Sequence, residues 1–455
     1  MKTATLADGT VLHCGQFLGA GAAGSVYRVK GSPHVVKIFK DPTPALKRAM
    51  QAILGDYNTV ADSDYWRSLY CWPDGLVIKP SLGVRLPAIP GHLKELGRIV
   101  FPKSFNRLPA AERPWAQRLG IAVKLARAVG RLHRSGFTHS DLSPANIYVD
   151  PRRGELRIID LDGLVVRGHL PPQVIGTPEY IAPEALVGKA TPSSRTDLHA
   201  LAVIIYQLLL YRHPLRGPAR RATGNPDRQE LLELGPEGIY IDHPTNRKNR
   251  PRCEGSGFWP ATLMGASLAD AFETCFVAGL KTPATRVSAG SWESYLVRLA
   301  DRVVTCGNPA CKDKHFPLTD GRALVCPWCR TPYPAHSGVP ALRLMRGSKD
   351  GKYRPEQDWW LAGIPGRKLY NWHVRANASP MPGTRPKPLA EVRLQKREWC
   401  LVNLGLERLR EVRSGRPAAN VPLGSAIPLR NGTTILTGDP PEYRALYVQV
   451  VSSRS

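Results

Sequence analysis

Acidic residues are scarce in this 455-residue chain, which has 37 Asp and Glu against 63 Lys and Arg and a formal net charge of +26. The deficit is pronounced in residues 330–455, which carry 21 basic and 9 acidic side chains. A surface of this charge favours acidic partners, nucleic acid among them. Because the basic residues are scattered and form no single block, we keep nucleic acid as a possible but unproven partner.

Long apolar segments are also missing. Met1–Thr10 is mildly polar, and the longest apolar run, Ala200–Tyr211, is too short to cross a bilayer. We therefore expect a soluble, cytoplasmic protein with no membrane partner. The length predicts roughly two to four domains, and the 42% hydrophobic content is sufficient for ordinary cores.

Most of the nine cysteines are isolated, but four lie close together in the sequence. Cys306 and Cys311 are followed, after 14 residues, by Cys326 and Cys329. This spacing is typical of a zinc ribbon, in which four thiolates bind one structural Zn²⁺. The distribution predicts a reducing compartment and no disulfide framework. Iron in place of zinc, or four uncoordinated thiols, are the alternatives.

The hydrophobic pattern predicts an α+β chain. Near the N-terminus we expect short strands and then a helix: Leu12–Leu18, Val26–Lys30, Val35–Phe39 and Ala45–Leu54. Further helices are expected at Trp115–Arg134, Leu198–Leu210, Leu268–Leu280 and Trp292–Leu299. The run Leu198–Leu210 is apolar nearly all round, which predicts a buried central helix. Residues 215–262 are rich in Pro, Gly and Arg and are expected to form a loop-rich insert.

After the cysteine pairs, short apolar segments alternate with turn residues. These predict the strands of a small all-β sandwich: Leu369–Val374, Ala390–Leu394, Trp399–Asn403, Thr433–Leu436 and Leu446–Val450.

Two N-terminal features suit a nucleotide triphosphate. Gly19, Gly21 and Gly24 precede Val26 between two expected strands; glycine lets the backbone approach phosphate oxygens, and the valine can cover a base. Lys37 lies in an apolar strand, where an ammonium group needs an anionic partner. Taken singly, an ordinary glycine-rich turn and a surface lysine explain them as well.

A second group of polar residues suits phosphoryl transfer. Asp141 and Asn146 lie five residues apart on one expected loop, and Asp160 follows the apolar run Leu156–Ile159. An Asp in the first position can accept a hydroxyl proton, while the Asn and the second Asp hold metal against phosphates.

In this order the motifs resemble those of eukaryotic-like (Hanks-type) protein kinases, over roughly residues 10–300. His139-Ser140-Asp141 corresponds to the catalytic-loop triplet of the family and Asp160-Leu161-Asp162 to its metal-binding Asp-Phe-Gly. Gly176–Glu184 is similar to the end of the substrate loop. Asp197 matches the Asp that tethers the catalytic loop, and Arg286 matches the Arg that pairs with the Glu of Ala-Pro-Glu, here Glu184.

The resemblance implies a serine/threonine kinase that uses ATP and Mg²⁺ (or Mn²⁺) on a protein substrate. Asp141 would accept the proton of the substrate hydroxyl, and Lys37 would hold the α- and β-phosphates. Asn146 and Asp160 would hold the metal. The nucleotide would also contact the glycine-rich loop at Gly19, Gly21, Gly24 and Val26.

Several positions depart from the family pattern. No Glu occurs between Lys37 and Glu95, so the usual helix carboxylate for the lysine is missing, and Gln51 or Asp56 could replace it. Ser140 replaces an Arg, which predicts activity that does not depend on phosphorylation of the loop. Ser143 replaces a Lys that contacts the γ-phosphate, and Asp162 replaces a Gly.

The expected architecture is therefore a bilobal kinase fold followed by a zinc ribbon and an all-β sandwich. We expect the kinase domain at 1–300 (N-lobe about 1–90, C-lobe about 91–300), the ribbon at 301–335 and a basic sandwich at 336–455. This order resembles a bacterial kinase subfamily of tellurite-resistance-type stress operons. It implies a von Willebrand A-type protein and a PP2C-like phosphatase as partners. The segments Leu369–His373 and Leu429–Gly438 look like a degenerate forkhead-associated (FHA) sandwich.

Three alternatives stay open. The missing Glu would suit a pseudokinase scaffold that binds nucleotide and organises a complex with little transfer. A small-molecule kinase of the aminoglycoside type would share the Asp141–Asn146 loop, but Gly176–Glu184 and Arg286 argue against it. The ribbon and the basic C-terminal region could also form a nucleic-acid module.

Overall fold

The computed structural model describes residues 1–21, 23–55, 58, 60, 63–101, 113–166, 176–219, 225–252, 258–320, 324–333, 338–412 and 417–451. The chain forms two compact units. The first comprises Met1–Arg113, Gln117–Pro260 and Ala271–Glu293, and the second comprises Pro114–Ala116, Ala261–Asp270 and Ser294–Ser455. The domain boundaries expected from the sequence stay predictions.

The strands are numbered in chain order. They are β1 (Thr3–Leu6), β2 (Val11–Ala20), β3 (Gly24–Val29), β4 (His34–Phe39), β5 (Gly75–Lys79), β6 (Gly83–Pro87), β7 (Lys94–Glu95), β8 (Phe137–Thr138), β9 (Ile147–Asp150), β10 (Glu155–Ile158), β11 (Val165–Val166), β12 (Val303–Thr305), β13 (His315–Pro317), β14 (Val339–Gly347), β15 (Tyr353–Ala362), β16 (Lys368–Leu369), β17 (Ala390–Gln395), β18 (Glu398–Asn403), β19 (Arg410–Val412), β20 (Ala419–Asn420), β21 (Ala426–Pro428), β22 (Thr434–Leu436) and β23 (Arg444–Val451).

The α-helices are numbered in the same way. They are α1 (Pro44–Leu54), α2 (Asp64–Leu69), α3 (Gly97–Val100), α4 (Trp115–Arg134), α5 (Pro183–Leu186), α6 (Ser194–Leu210), α7 (Pro226–Leu234), α8 (Ala266–Glu273), α9 (Gly279–Lys281), α10 (Ala289–Ala300) and α11 (Asn371–Val374). No helix in the described part of the chain combines the length and the apolar character needed to span a bilayer.

The N-terminal part of the first unit is a closed barrel with the strand order β1-β2-β3-β4-β6-β5. Apolar side chains alternate along its strands and fill the interior, among them Leu6, Val36 and Val77. Antiparallel pairing places Val26 of β3 and Val84 of β6 on either side of Lys37 in β4. The barrel therefore fixes where the lysine stands relative to the glycine-rich turn before β3.

Helix α6 lies at the centre of the helical part of the same unit. Every residue from His199 to Leu210 is buried, which confirms the prediction of a central helix. Its Tyr206 ring packs edge-on against Phe272 and Phe276, with centroids 4.9 and 6.1 Å away. Phe276 lies in a π-helical turn, Thr274–Ala278, which interrupts the single helix expected over Leu268–Leu280.

Two secondary-structure expectations were wrong in part. The insert 215–262 contains helix α7, which begins after Asn225, whose side-chain oxygen accepts from Arg228 N–H at 3.1 Å. Asn followed by Pro226 is a helix-start signal that outweighs the loop-like composition. The expected strand Leu369–Val374 is mostly helix α11, because the Nδ1 atom of His373 accepts from the backbone N–H of Tyr370 at 3.0 Å and caps a helical turn.

The second unit contains two large sheets. Their strand orders are β15-β14-β23-β22-β19-β20 and β16-β17-β18-β21. Side chains from both sheets share one core, as expected for a sandwich; Leu342 and Leu361 come from the first sheet, Val392 and Leu401 from the second. The hairpin β12–β13 and the cysteines from Cys306 to Cys329 pack on a neighbouring core that includes Trp360. The FHA-like character of the sandwich stays a prediction.

Candidate functional site

The glycine-rich turn joins β2 to β3. Gly21 N–H donates to Gly24 O at 2.9 Å, which closes the turn. A Cβ atom on Gly24 would lie 2.2 Å from Ile38 O, so the close approach of β4 requires glycine there. Among the residues that the structure describes, no atom lies within 4 Å of the point where a Cβ atom would stand on Gly19 or Gly21. The first two glycines therefore leave open space at the turn, and Gly19 lines the cavity described below, whereas the third glycine is required by the barrel.

Lys37 and Asp160 meet across 123 residues of sequence. The lysine is 8% exposed, and its Nζ lies 2.7 Å from Asp160 Oδ1. Asp160 adopts a left-handed backbone conformation with φ 62° and ψ 41°, which Asp tolerates better than most residues. Ile159 N–H donates to Asn146 O at 2.9 Å, so the strand end that carries Asp160 is also held to the loop that carries Asn146.

A cavity of about 330 Å³ lies beside this ion pair. Its walls are mainly apolar, and its charged lining side chains are Lys37, Asp160 and Arg28. The remaining lining residues are Leu18, Gly19, Val26, Val35, Cys71, Leu86, Pro87, Ala88, Ile89 and Ile159. A cavity whose lining combines the Lys37–Asp160 ion pair with mainly apolar side chains suits a ligand that has an anionic group and a flat apolar part.

Asp141 and Asn146 lie together on the loop after β8. Asn146 Nδ2 donates to the backbone oxygen of Asp141 at 2.9 Å and to its Oδ2 at 3.1 Å. The Thr177 hydroxyl donates to Asp141 Oδ1 at 2.7 Å. Both carboxylate oxygens are thus oriented by neutral donors. The sequence pattern gives Thr177 no separate role, and only the folded loop identifies it as a partner of Asp141.

Asp197 tethers this loop, as the resemblance implied. Its carboxylate accepts from the backbone N–H groups of His139 at 2.8 Å and Ser140 at 3.1 Å. His133 Nε2 lies 3.0 Å from the same carboxylate. Ser140 has φ 69°, an unfavourable conformation for a residue with a side chain, and the two hydrogen bonds compensate for it.

Arg286 and Glu184 form the buried pair that the resemblance implied. The two guanidinium nitrogens lie 2.7 and 2.6 Å from the carboxylate oxygens, a bidentate geometry. The Arg286 side chain has no exposed surface. It also donates to Gly279 O and Arg195 O, so one side chain anchors helix α5 to two other segments.

The positions that depart from the family pattern have different outcomes. Gln51 is exposed on α1, and Asp56 lies outside the described residues. Ser143 is 1% exposed, so its hydroxyl lies within the loop.

Gly83 has a structural role that the sequence analysis missed, although a glycine inside a strand signals the close approach of another backbone segment. A Cβ atom there would lie 2.4 Å from Lys37 O.

The four cysteines for which the sequence predicts a metal site lie together in the structure. The Sγ atoms of Cys306, Cys311, Cys326 and Cys329 all lie within 4.8 Å of one another. The pairs Cys306–Cys329 and Cys311–Cys326 are 3.5 and 3.9 Å apart. Tetrahedral Zn²⁺ with bonds of about 2.3 Å places its sulfur ligands about 3.8 Å apart, so the geometry fits.

The pKa values of the cluster cysteines are shifted in opposite directions. Burial acts to raise the pKa of Cys329, but hydrogen bonds, those with Thr331 foremost, lower it to about 6. Burial raises the pKa values of Cys311 and Cys326. A cation among the four sulfurs would stabilise their thiolate forms.

Comparison with known proteins finds similarity in the part of the chain that contains Asp141, Asn146 and Asp160. Residues 112–254 match the family model described as protein kinase domain. Serine/threonine-protein kinase Pkn1 of Myxococcus xanthus is 35% identical over 104 residues, 21% of this chain and 15% of the relative. Serine/threonine-protein kinase pkn2 of the same organism is 31% identical over 127 residues, 26% of this chain and 15% of the relative.

A third relative comes from another bacterium. Serine/threonine-protein kinase PknD of Chlamydia pneumoniae is 31% identical over 153 residues, 29% of this chain and 16% of the relative. The matched segments thus span about one sixth of the length of these curated relatives. Residues 112–254 are thus similar to the protein kinase domain, and the three relatives that match in this region are named as bacterial serine/threonine-protein kinases.

Proposed function

We propose that this chain is an ATP- and Mg²⁺-dependent serine/threonine protein kinase. One observation carries the proposal. The Lys37–Asp160 pair, at 2.7 Å, lies at the cavity, and the loop of Asp141 and Asn146 is hydrogen-bonded to Ile159, the residue before Asp160. The likeness to proteins named serine/threonine kinases supports transfer of phosphate. The scaffold alternative gains no support from that likeness.

The wall formed by residues 86–89 supports a purine base at the apolar end. Ala88 N–H donates to Pro33 O at 2.8 Å, which makes His34–Pro87 a non-hydrogen-bonded pair of the ladder. The C=O of Pro87 is then directed away from β4. Ile89 N–H donates to no group among the residues that the structure describes. The C=O of Pro87 can accept from the amino group of adenine, and the N–H of Ile89 can donate to a ring nitrogen on the same edge.

The charged end supports binding of the phosphates. Lys37 would hold phosphate oxygens. Because Gly19 and Gly21 carry no side chain, the backbone of the glycine-rich turn can come close to the same oxygens. Asp160 and Asn146 would hold Mg²⁺, because carboxylate and amide oxygens are its preferred protein ligands. The Asn146 nitrogen is engaged by Asp141, which leaves the amide oxygen as a ligand atom. Bound there, the metal neutralises charge on the triphosphate.

Asp141 would orient the acceptor hydroxyl and take its proton. The Thr177 hydroxyl, 2.7 Å from Asp141 Oδ1, shows that the carboxylate can accept from an alcohol in this position. A serine or threonine side chain of a protein substrate would form the corresponding hydrogen bond when it enters. Its oxygen would attack the terminal phosphorus as the proton passes to Asp141, while the bond between that phosphorus and the bridging oxygen breaks and ADP leaves with the electron pair.

The remainder of the chain supports a finer version of the proposal. We assign the four-cysteine cluster to structural Zn²⁺ and the sandwich to an FHA-like module. The kinase would act in the cytoplasm in bacterial stress signalling, with a von Willebrand A-type protein and a PP2C-like phosphatase as partners. This role derives from the resemblance in domain order alone.

The test is autophosphorylation of the full chain with radiolabelled ATP and Mg²⁺. We expect label on Ser or Thr, lost in Asp141→Asn and in Asp160→Ala. Asp150→Asn, which changes a carboxylate outside the cavity, is the control that should keep the label. ATP binding without any transfer by the wild-type protein would overturn the enzyme and support the scaffold.

A further inference from the structure

The hairpin formed by β17 and β18 ends in an unusual turn. Its two central residues are Lys396 and Arg397, with φ 47° and 67°. Two-residue hairpin turns of this conformation favour Asn-Gly, because positive φ is unfavourable for long side chains. Lys and Arg lack the short polar group with which Asn stabilises this conformation. The turn therefore retains two basic side chains at the expense of stability, which indicates a function.

These two basic side chains carry surplus charge. Both residues are exposed, and neither has a carboxylate partner among the described residues. The neighbouring acids are already paired: Glu398 accepts from Arg430 at 2.6 and 3.2 Å. Glu391 accepts from Arg393 at 2.7 Å. The hairpin end thus presents two positive charges that its own acids do not neutralise.

Apolar surface lies next to the charges. Leu394 is paired directly with Trp399 across the hairpin, so their side chains share one face. Leu394 is 55% exposed, and Trp399 is partly buried against the sandwich core. Trp399 follows Arg397 by two residues, and an aromatic side chain near cations is the combination that binds a base together with its neighbouring phosphates.

We propose that the hairpin end, Leu394–Trp399, binds the phosphate backbone of nucleic acid. Lys396 and Arg397 would contact phosphates, while Leu394 and Trp399 would contact an unpaired base. An anionic membrane fits less well, because one exposed leucine offers too little apolar surface for insertion. The surplus of Lys and Arg in residues 330–455 would add long-range attraction.

The experiment replaces the turn with residues that its backbone prefers. In the full chain, Lys396→Asn with Arg397→Gly removes two charges and relieves the positive φ. The control, Lys349→Asn with Lys352→Asn, removes two exposed charges from the β14–β15 turn. Binding is measured by fluorescence anisotropy with a labelled single-stranded DNA of about 20 nucleotides, which exceeds the site size of one module.

We expect the hairpin variant to bind on the order of tenfold more weakly at ~0.1 M salt. The slope of log binding constant against log salt concentration should be smaller in magnitude by about 1.4, since two phosphate contacts are lost. Its melting temperature should rise by about 2 °C, since the turn is no longer strained. The control should bind like the wild type. Parallel titrations with duplex DNA and single-stranded RNA identify which nucleic acid is preferred.

Two results would overturn the proposal. Equal weakening in both double variants would show diffuse attraction by net charge and no site at the hairpin. Hairpin-dependent binding to vesicles of anionic phospholipid, without binding to any oligonucleotide, would assign the same residues to a membrane. Autophosphorylation is measured alongside and should be unchanged, so the result is independent of the proposed kinase activity.

Discussion

Lys37 and Asp160 form an ion pair whose nitrogen and oxygen lie 2.7 Å apart, at the charged end of the cavity. The sequence contains no Glu near the lysine and leaves its partner open. The structure supplies a carboxylate that is itself the candidate metal ligand. Asp160, the proposed metal ligand, therefore also compensates the charge of Lys37, whose side chain is only 10% exposed.

This pairing predicts a stability effect alongside the loss of activity. Asp160→Ala should lower the free energy of unfolding by about 1–2 kcal/mol, because the Lys37 ammonium loses one charged neighbour while the exposed side of the pair limits the effect. Asp160→Asn, which keeps a side-chain oxygen that can accept from Lys37, should lower it less. Urea denaturation followed by tryptophan fluorescence measures both. An Asp160→Asn variant less stable than Asp160→Ala would contradict this explanation.

The buried Arg286–Glu184 pair predicts a larger effect. Arg286→Ala should destabilise the first unit by about 3–5 kcal/mol, since it leaves the Glu184 carboxylate and two carbonyls without their donor. The exposed pair Arg67–Asp64 provides the comparison. Arg67→Ala should change stability by less than about 0.5 kcal/mol. Similar denaturation midpoints for the two variants would argue against a structural role for the buried pair.

His213 predicts acid sensitivity. Burial lowers the pKa of its imidazole to about 4, and Nε2 lies 3.0 Å from Glu179 O. The unfolded chain, with an ordinary histidine pKa of about 6.5, binds more protons than the folded chain between these values, so stability falls as the pH decreases. Between pH 7 and pH 5 the free energy of unfolding should fall by about 2 kcal/mol. Below pH 5 the loss levels off as the pH approaches about 4, the pKa of His213 in the folded chain.

The substitution His213→Gln should remove this part of the pH dependence, since glutamine keeps a donor and gains no charge. His13→Gln, at an exposed position, is the matched control and should leave the dependence intact. Melting curves from pH 5 to pH 8 measure the slopes. A His213→Gln slope equal to that of the wild type would assign the acid sensitivity elsewhere.

The cysteine cluster predicts one equivalent of bound zinc. Cys326→Ser should abolish that equivalent, because the remaining three thiolates no longer complete a tetrahedron. Cys400→Ser, which changes a buried cysteine outside the cluster, should retain it. Elemental analysis of the purified chains gives the metal content, and hydrogen exchange shows whether chelation loosens residues 301–333 first. Iron instead of zinc would correct the identity of the metal without changing its ligands.

The sequence was most informative where residues close along the chain act together. Asp141 and Asn146 share one loop, and Cys326 and Cys329 share one turn, so their spacing alone predicted contact. Local caps were harder to evaluate: Asn225 before Pro226 begins a helix in a segment whose composition favours a loop. Aromatic and β-branched residues at 369–374 predicted a strand, whereas the His373 side chain stabilises a helical turn.

By itself the sequence determined the identity and order of the polar residues, the two cysteine pairs and the central apolar helix, because these depend on residue type and short spacing. Only the tertiary structure decided that Asp160 pairs with Lys37, that Thr177 contacts Asp141 and that Gly83 allows β6 to approach Lys37 O. These contacts join residues far apart in the chain. Their distances follow from barrel closure and loop packing, which no local pattern encodes.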